Sequence, residues 1–260
     1  MTDQIAVVTG ASAGIGREIA RQLAARGYEL WLVARREAKL RELAAEIEDA
    51  GHGKPMAICL DLLQPSDRRS LVKRMKEHQD RFAILVNNAG FGAYGPVIEL
   101  PVSRQIEMIE LNITALTELA LEAARLMAGK HSGSIINVAS TASFQPVPFQ
   151  SVYGATKAYV LSFSCALAEE VRAQGVHVMA LCPGLTRTEF QGVAGITRED
   201  FRMRHAMTAA RCAELGLRDF DRRKRVSITG AMNKVQIFAS WLFPRSLVVR
   251  VVARMMKNLA

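Results

Sequence analysis

Ile5-Ala6-Val7-Val8-Thr9-Gly10-Ala11-Ser12-Ala13-Gly14-Ile15-Gly16 is the stretch that decides the fold. Its first five residues form a short apolar run. Three glycines then follow in the spacing Gly-x-x-x-Gly-x-Gly and lead into Ile15, Ile19 and Leu23, which recur at helical intervals. A strand passing through a glycine turn into an amphipathic helix, expected to begin near Arg17, is a βα unit. Glycine lets the chain turn sharply and approach a ligand closely, while the amides of a helix start carry partial positive charge suited to a phosphate. A plain strand–helix turn would use the same glycines, but the position after the first strand favours a nucleotide loop.

Six more apolar runs recur along the chain, at Leu30–Ala34, Met56–Leu60, Ile84–Asn87, Ser134–Val138, Val176–Leu181 and Val226–Ile228. Segments with helical spacing, such as Leu40, Leu43 and Ile47, separate them. Alternation of this kind predicts an α/β fold, a doubly wound parallel sheet of the Rossmann type with about seven strands and helices on both faces. Ligands of such sheets bind beyond the carboxyl ends of the strands, so function is expected on the strand-to-helix loops. No repeat or Pro/Gly/Ser linker divides the chain, and residues 1–260 are expected to form one NAD(P)-binding domain. A Met- and Arg-containing stretch at about 188–221 interrupts the alternation and is expected to cover the crevice as a lid.

Half of the 260 residues are apolar and 23% are charged, which supports a large core and excludes a disordered or fibrous chain. The N-terminus lacks the basic and long apolar regions of a signal peptide, so a cytoplasmic location is expected. Cys59, Cys165, Cys182 and Cys212 are isolated and are expected to be buried thiols. The five histidines are scattered too, and no metal is expected. The net charge of +9 is uneven: residues 201–260 carry 13 Lys/Arg against 3 Asp/Glu. A solvated helical face accounts for this better than nucleic acid, because no nucleic-acid motif with interleaved aromatics accompanies it.

Cofactor choice is read at the end of the second strand, where an acid would bind the adenosine ribose hydroxyls of NAD. Here the strand ends Leu32-Val33-Ala34-Arg35-Arg36. With no acid and arginine following, a 2′-phosphate would meet a bidentate cation, so NADP(H) is expected, with Arg35 the leading contact and Ser12 and Arg36 secondary. Asp61, after the third strand, fits two roles: accepting from the adenine amino group or capping the next helix.

Tyr153-Gly154-Ala155-Thr156-Lys157 places a phenol and an ammonium one helical turn apart on one face. A phenol with an ordinary pKa of about 10 is a poor base at neutral pH, and a neighbouring cation makes two-way proton transfer practicable. Ser140, after Ile136-Asn137-Val138-Ala139, offers a hydroxyl to a substrate oxygen. Asn112 lies in the apolar stretch Met108-Ile109-Glu110-Leu111-Asn112-Ile113, where a buried amide requires hydrogen-bond partners.

Together these motifs resemble the short-chain dehydrogenase/reductase family over nearly the whole chain. The family's glycine turn falls on Thr9–Gly16, its strand-four signature on Asn87-Asn88-Ala89-Gly90, and its catalytic set on Asn112, Ser140, Tyr153 and Lys157. Pro183-Gly184 and Thr188 match its motif after strand six. The resemblance implies cofactor contacts from Gly10, Ser12, Gly14, Ile15, Gly16, Asp61, Leu62, Asn88, Ala89, Gly90, Pro183, Gly184 and Thr188. It also implies a mechanism in which Tyr153 protonates a carbonyl oxygen as hydride reaches the carbon, while Ser140 holds that oxygen. Lys157 would bind the nicotinamide ribose and lower the tyrosine pKa, and Asn112 would hold a water in the proton relay. Val33–Arg36 and Ala180–Gly184 are similar to a bacterial branch of NADP-type β-ketoacyl and hydroxysteroid reductases. The family's habits imply a homo-oligomer, a dimer or tetramer.

Phe91, Tyr94, Phe144, Phe149 and Phe190, with Met203 and Met207, fall on expected crevice-side loops and favour a lipophilic carbonyl or alcohol substrate. From Trp241 to Met256 the chain is apolar but broken by Pro244, Arg245, Arg250 and Arg254, too short and too charged for a membrane span. Leu247, Val248, Val251, Val252 and Met255 can share one helical face, for which packing or oligomerisation ranks above contact with a lipid surface. Two non-enzymatic readings compete, an NADP sensor and a basic interaction protein. The complete catalytic set argues against the sensor, which needs no activated tyrosine.

Overall fold

The computed structural model describes residues 3–196 and 206–257. Its sheet has the order β3-β2-β1-β4-β5-β6-β9, with every neighbouring pair parallel. The strands are β1 (Ile5–Thr9), β2 (Glu29–Ala34), β3 (Met56–Cys59), β4 (Phe82–Asn87), β5 (Gly133–Val138), β6 (Val176–Cys182) and β9 (Val226–Ile228). Each coincides with an apolar run of the sequence to within one or two residues. A short parallel pair, β7 (Thr186–Arg187) with β8 (Met207–Thr208), lies apart from this sheet.

Side chains alternate across the pleat and so feed two cores. Ile5 and Val7 of β1 pack with Leu71, Leu119 and Leu167, from α3 (Pro65–Glu77), α5 (Leu116–Gly129) and α6 (Ser151–Glu170). Ala6 and Val8 pack with Ile19 and Leu23 of α1 (Gly14–Ala24) and Leu40, Leu43 and Ile47 of α2 (Glu37–Asp49). Helix α1 starts at Gly14, three residues earlier than the apolar spacing suggested, so Gly14, Ile15 and Gly16 form its first turn.

Strand order reverses between β1 and β4, which places the crevice where their following loops meet. The expected lid at 188–221 divides in two. Phe190–Val193 forms the short helix α7 beside the crevice, but α8 (Ala209–Asp221) buries Cys212, Ala213 and Leu217 and joins the core that contains α1. It is therefore a body helix, not part of a cover. Met203 lies outside the described residues.

Two thiols, Cys182 and Cys212, are buried as expected, Cys165 is half-buried, and Cys59 is exposed. Cys59 departs from the expectation because β3 is an edge strand on which only Ile58 is buried. The chain ends in α9 (Ala231–Trp241) and α10 (Arg245–Lys257). Helix α10 has no buried residue, so the expected intramolecular packing covers its apolar face only in part. No helix among the described residues is long and apolar enough to cross a membrane.

Candidate active site

The loops after β1 and β4 are tied together by short-range hydrogen bonds. Thr9 Oγ1 accepts from the backbone amides of Asn88 and Ala89, each at 3.0 Å, and Asn88 Nδ2 donates to the carbonyls of Thr9 and Gly10 at 3.0 and 3.1 Å. Gly10 and Gly14 have φ of +66° and +56°, which only glycine adopts freely. At Gly16 the limit is space, since an added Cβ would run into Asn88 Nδ2 and the Gly10 carbonyl. Gly14 faces Thr188, whose Cγ2 would lie 3.0 Å from an added Cβ, so the post-β6 loop closes the same corner.

No side chain caps α1, and its first turn holds no acid. The amides of that turn and the positive end of the helix dipole thus suit a phosphate. Of the two arginines after β2, Arg36 reaches the loop: its Nη2 and Nε donate to Ser12 Oγ at 3.0 and 3.3 Å. Arg35 is exposed, and its carbonyl accepts from Cys59 Sγ. Asp61 does not cap α3, whose N-cap is Gln64; its Oδ1 accepts from Leu63 N at 3.1 Å and closes a local turn. Leu62 is buried, and its carbonyl accepts from Arg68 Nη1 at 2.9 Å.

Asn112 sits in a π-helical turn, Glu110–Ala115, between α4 (Val102–Ile109) and α5. Its fully buried amide finds the partners that the apolar stretch demanded. Oδ1 accepts from Phe91 N at 3.1 Å, and Nδ2 donates to Phe91 O at 2.9 Å and Thr156 Oγ1 at 3.1 Å. Thr156 in turn donates to the carbonyl of Tyr153 at 2.8 Å, so Asn112 anchors both the post-β4 loop and α6. The π turn widens the helix at this point, which displaces main-chain carbonyls from their usual partners.

Ser140, at the end of β5, accepts from Ala142 N at 3.1 Å and starts the 3₁₀ turn Thr141–Phe144. Tyr153 and Lys157 lie on the buried side of α6. Lys157 Nζ donates to Val138 O at 2.8 Å and stands 5.9 Å from the Tyr153 ring centroid. Burial pushes the Tyr153 phenol up to about 12, with the Ser140 side chain acting in the opposite direction. Burial also pulls the Lys157 ammonium down to about 8. At Tyr153 burial is the larger influence and the Ser140 hydroxyl the one that counters it.

Phe190 covers Tyr153 with ring centroids 5.3 Å apart, and Tyr94 lies against Phe149 at 6.2 Å. Phe91 and Tyr94 are buried in this wall. Open apolar space lies beside this wall, in a groove of about 600 Å³ whose lining includes Phe144, Val147, Gly154, Trp241, Phe243 and Val248. Trp241 was not legible as a groove residue because it is 88 residues beyond Tyr153 in sequence. A buried polar chain was missed as well. Asn87 Nδ2 donates to Asn137 Oδ1 at 3.0 Å, and Asn137 Nδ2 donates to Ser164 Oγ at 3.0 Å, pinning β4, β5 and α6 beneath the site.

This fold and site define a nucleotide-binding oxidoreductase of the doubly wound class. The short chain dehydrogenase family model matches residues 4–199, and the chain belongs to that family. A putative ketoacyl reductase of Streptomyces coelicolor is 35% identical over 188 residues, covering 71% of each chain. An uncharacterized oxidoreductase of Staphylococcus saprophyticus is 34% identical over 192 residues, 74% of this chain and 82% of that one. Among solved structures, a short-chain dehydrogenase from Sphingobium yanoikuyae in complex with NADPH shares 36% identity with a TM-score of 0.83, covering 92% of this chain and 94% of that one. The bulky-bulky ketone specific alcohol dehydrogenase from Comamonas testosteroni shares 31% identity with a TM-score of 0.79, covering 92% of each chain.

Proposed function

We propose that the protein is an NADP(H)-dependent reductase of lipophilic ketones or aldehydes, working reversibly on the matching alcohols. The observation that carries this reading is the meeting of Ser140, Tyr153 and Lys157 at the carboxyl end of β5, beside a glycine turn flanked by Arg36 and Ser12. The donor set fits a dinucleotide phosphate. Uncapped amides at Gly14, Ile15 and Gly16 suit the pyrophosphate, Ser12 with Arg36 and the neighbouring Arg35 suits a 2′-phosphate, and Asp61 with Leu62 borders the adenine side. Asn88, Ala89, Gly90, Pro183, Gly184 and Thr188 wall the remainder. When bound, NADP(H) would supply or accept the hydride.

The chain's own residues handle the oxygen and its proton. Ser140 Oγ holds the substrate oxygen, and Tyr153 gives its phenolic proton to that oxygen in reduction and takes it back in oxidation. Lys157 stabilises the resulting phenolate and is the donor for the cofactor ribose, since Val138 O uses only one of its three N–H groups. Asn112 contributes by position, and a relay water would bind the main chain of its π turn because its side chain is occupied. The apolar groove beside Phe144 and Trp241 favours a bulky substrate, and the NADPH complex and the bulky-ketone enzyme among the similar structures support the same reading.

Ile98, Val102 and Ile106 are exposed around the start of α4, and we assign them to contact between copies in a homo-oligomer. The cytoplasm, where NADPH is the reducing cofactor at hand, is the proposed location. A panel of ketones and aldehydes of increasing bulk, followed by NADPH absorbance, tests the function. Turnover of the bulky members with NADPH above NADH is expected, whereas equal or no turnover with every carbonyl would overturn the reading.

A further inference from the structure

Helices α9 and α10 form a C-terminal hairpin whose outer surface is apolar where solvent meets it. Met232, Val235, Phe238 and Leu242 recur every three or four residues, which puts them on one stripe of α9, and Phe238 and Leu242 are 61% and 67% exposed. On α9 only Ile237 is buried. Leu247 and Val251 continue an exposed apolar row along α10. At 100° per residue, Arg250, Arg254 and Lys257 fall immediately beside that row on the same solvent side. The turn between the helices exposes Trp241, Leu242 and Phe243 in succession, with Arg245 next to them.

The hairpin is nonetheless fixed to the body. Tyr94 Oη donates to the carbonyl of Met256, the rings of Phe144 and Trp241 approach to 6.4 Å, and Val248 faces the groove. Its inner side packs on the body, and its outer side meets solvent. Charge decides what the outer side fits. Residues 222–260 hold nine Lys/Arg and not one Asp/Glu. A symmetric contact between two copies would lay this surface on itself and bring like charges together with no acid to compensate. A bilayer with anionic headgroups meets both features at once, taking up the apolar stripes and tip while the arginines and lysine reach the phosphates. Helix α10 has 13 residues, or about 20 Å of length, so it would lie in the surface plane and not cross it.

We propose that the α9–α10 hairpin docks the enzyme on an anionic lipid surface, with the Trp241-Leu242-Phe243 turn entering the headgroup boundary and Arg245, Arg250, Arg254 and Lys257 pairing with lipid phosphates. Phe238, Leu242, Leu247 and Val251 lie outside the groove lining, whereas Trp241, Phe243 and Arg245 border the groove proposed for the substrate, so the docking surface adjoins that groove.

The chain's two tryptophans make the test direct. Trp31 is 1% exposed and belongs to the core, whereas Trp241 is 65% exposed, so a change in intrinsic fluorescence on lipid binding reports Trp241. The full chain is mixed with vesicles of phosphatidylcholine, with or without phosphatidylglycerol, and followed by Trp emission and co-sedimentation. Binding and a blue shift are expected with phosphatidylglycerol present, weaker at high salt, and no shift in Trp241→Phe. Each basic residue near an anionic surface contributes about a factor of five, so Arg250→Gln with Arg254→Gln should weaken the partition about thirty-fold. Phe238→Ser with Leu242→Ser should abolish it. Thermal melting and NADPH binding check that each variant is folded, and light scattering follows its mass.

Failure to bind phosphatidylglycerol vesicles, or undiminished binding by the folded charge variant, overturns the proposal. A fall in oligomer mass in the Phe238→Ser, Leu242→Ser variant would assign the surface to a second copy. An equal blue shift with polyglutamate would assign it to an acidic protein. Either result also overturns it.

Discussion

Arg36 bridges the two sides of the nucleotide crevice: its Nη1 lies 2.6 Å from Glu189 Oε2 while its Nη2 donates to Ser12 Oγ at 3.0 Å. Both partners of the ion pair are about half exposed, so the pair itself is worth little. Glu189 nevertheless occupies a guanidinium edge that the proposed 2′-phosphate would use. Glu189→Gln is therefore expected to raise NADPH affinity about two- to fivefold with little effect on NADH. Arg36→Ala should lower NADPH affinity about tenfold or more, the scale of a charge-assisted hydrogen bond, again sparing NADH. Fluorescence titration of both nucleotides decides it, with Arg35→Ala alongside. Loss of the preference in Arg35→Ala alone would move the 2′-phosphate contact to Arg35.

Lys157 leads to a prediction about stability. Its ammonium titrates at about 8 in the folded protein against an ordinary 10.5, so between these values the unfolded chain binds more protons. Stability from this group thus rises with pH from 8 to 10.5, and the cost of burying the charge is fully present below 8. Tyr153, raised from 10.0 to about 12, acts in the opposite sense only above pH 10. Lys157→Met removes a burial cost on the order of 3 kcal/mol but leaves Val138 O without its donor, at about 1 kcal/mol. The variant should melt higher than the wild type at pH 7, and the gap should shrink toward pH 10. A gap that is constant or grows with pH would refute the assignment.

Much of the fold was legible because its signals are local. The apolar run Ile5–Thr9, the glycines after it and the helical spacing of Leu40, Leu43 and Ile47 each lie within a dozen residues, and each forms the expected element. That Tyr153 and Lys157 share one buried helix face was legible for the same reason, the two being one turn apart. What escaped depends on direction or distance. Arg35 and Arg36 are neighbours at a strand–helix junction, and nothing in their order says which one turns toward Ser12. Asn87 and Asn137 meet only through the β4–β5 register, fifty residues apart. Helix α8 carries the same amphipathic pattern whether it covers a crevice or a sheet, and its packing against α1 had no sequence signal.

Arg68 is another group that sequence spacing does not reveal. It is 4% exposed and holds together the turn after β3 and the helices around the π turn. Nε lies 2.6 Å from Glu118 Oε2, Nη1 lies 3.1 Å from Glu110 Oε1, and the same nitrogen donates to the carbonyls of Leu62 and Leu63. Arg68→Met would preserve volume yet strip four acceptors of their donor. A loss of about 2–4 kcal/mol is expected in urea unfolding, since removing one member of a buried pair exposes the others' desolvation cost. Adding Glu110→Gln and Glu118→Gln should recover part of it. A loss below about 0.5 kcal/mol, the range of ordinary surface changes, would show that water replaces the guanidinium.

The last prediction separates the two hydroxyls proposed to act at the reacting oxygen. Tyr153→Phe keeps the ring against Phe190 and the Asn112–Thr156 anchor intact, because that anchor uses the Tyr153 carbonyl and not its phenol. NADPH affinity should be unchanged while carbonyl reduction falls by at least about a hundredfold, the scale for a positioned acid. Ser140→Ala removes the cap of the 3₁₀ turn as well as the oxygen-holding hydroxyl, so it should cost about 1 kcal/mol of stability in addition to activity. The Ser140 side chain also restrains the upward shift of the phenol, so losing it should raise the Tyr153 pKa further. In the oxidation direction, where Tyr153 must accept a proton, the limb that rises with pH as the phenolate forms should therefore move to higher pH in Ser140→Ala. Single-turnover rates in both directions across pH 6–10.5 check this, with thermal melting as the control for folding. A Tyr153→Phe enzyme at wild-type rate, or a rising limb that stays in place in Ser140→Ala, would remove the corresponding residue from the mechanism.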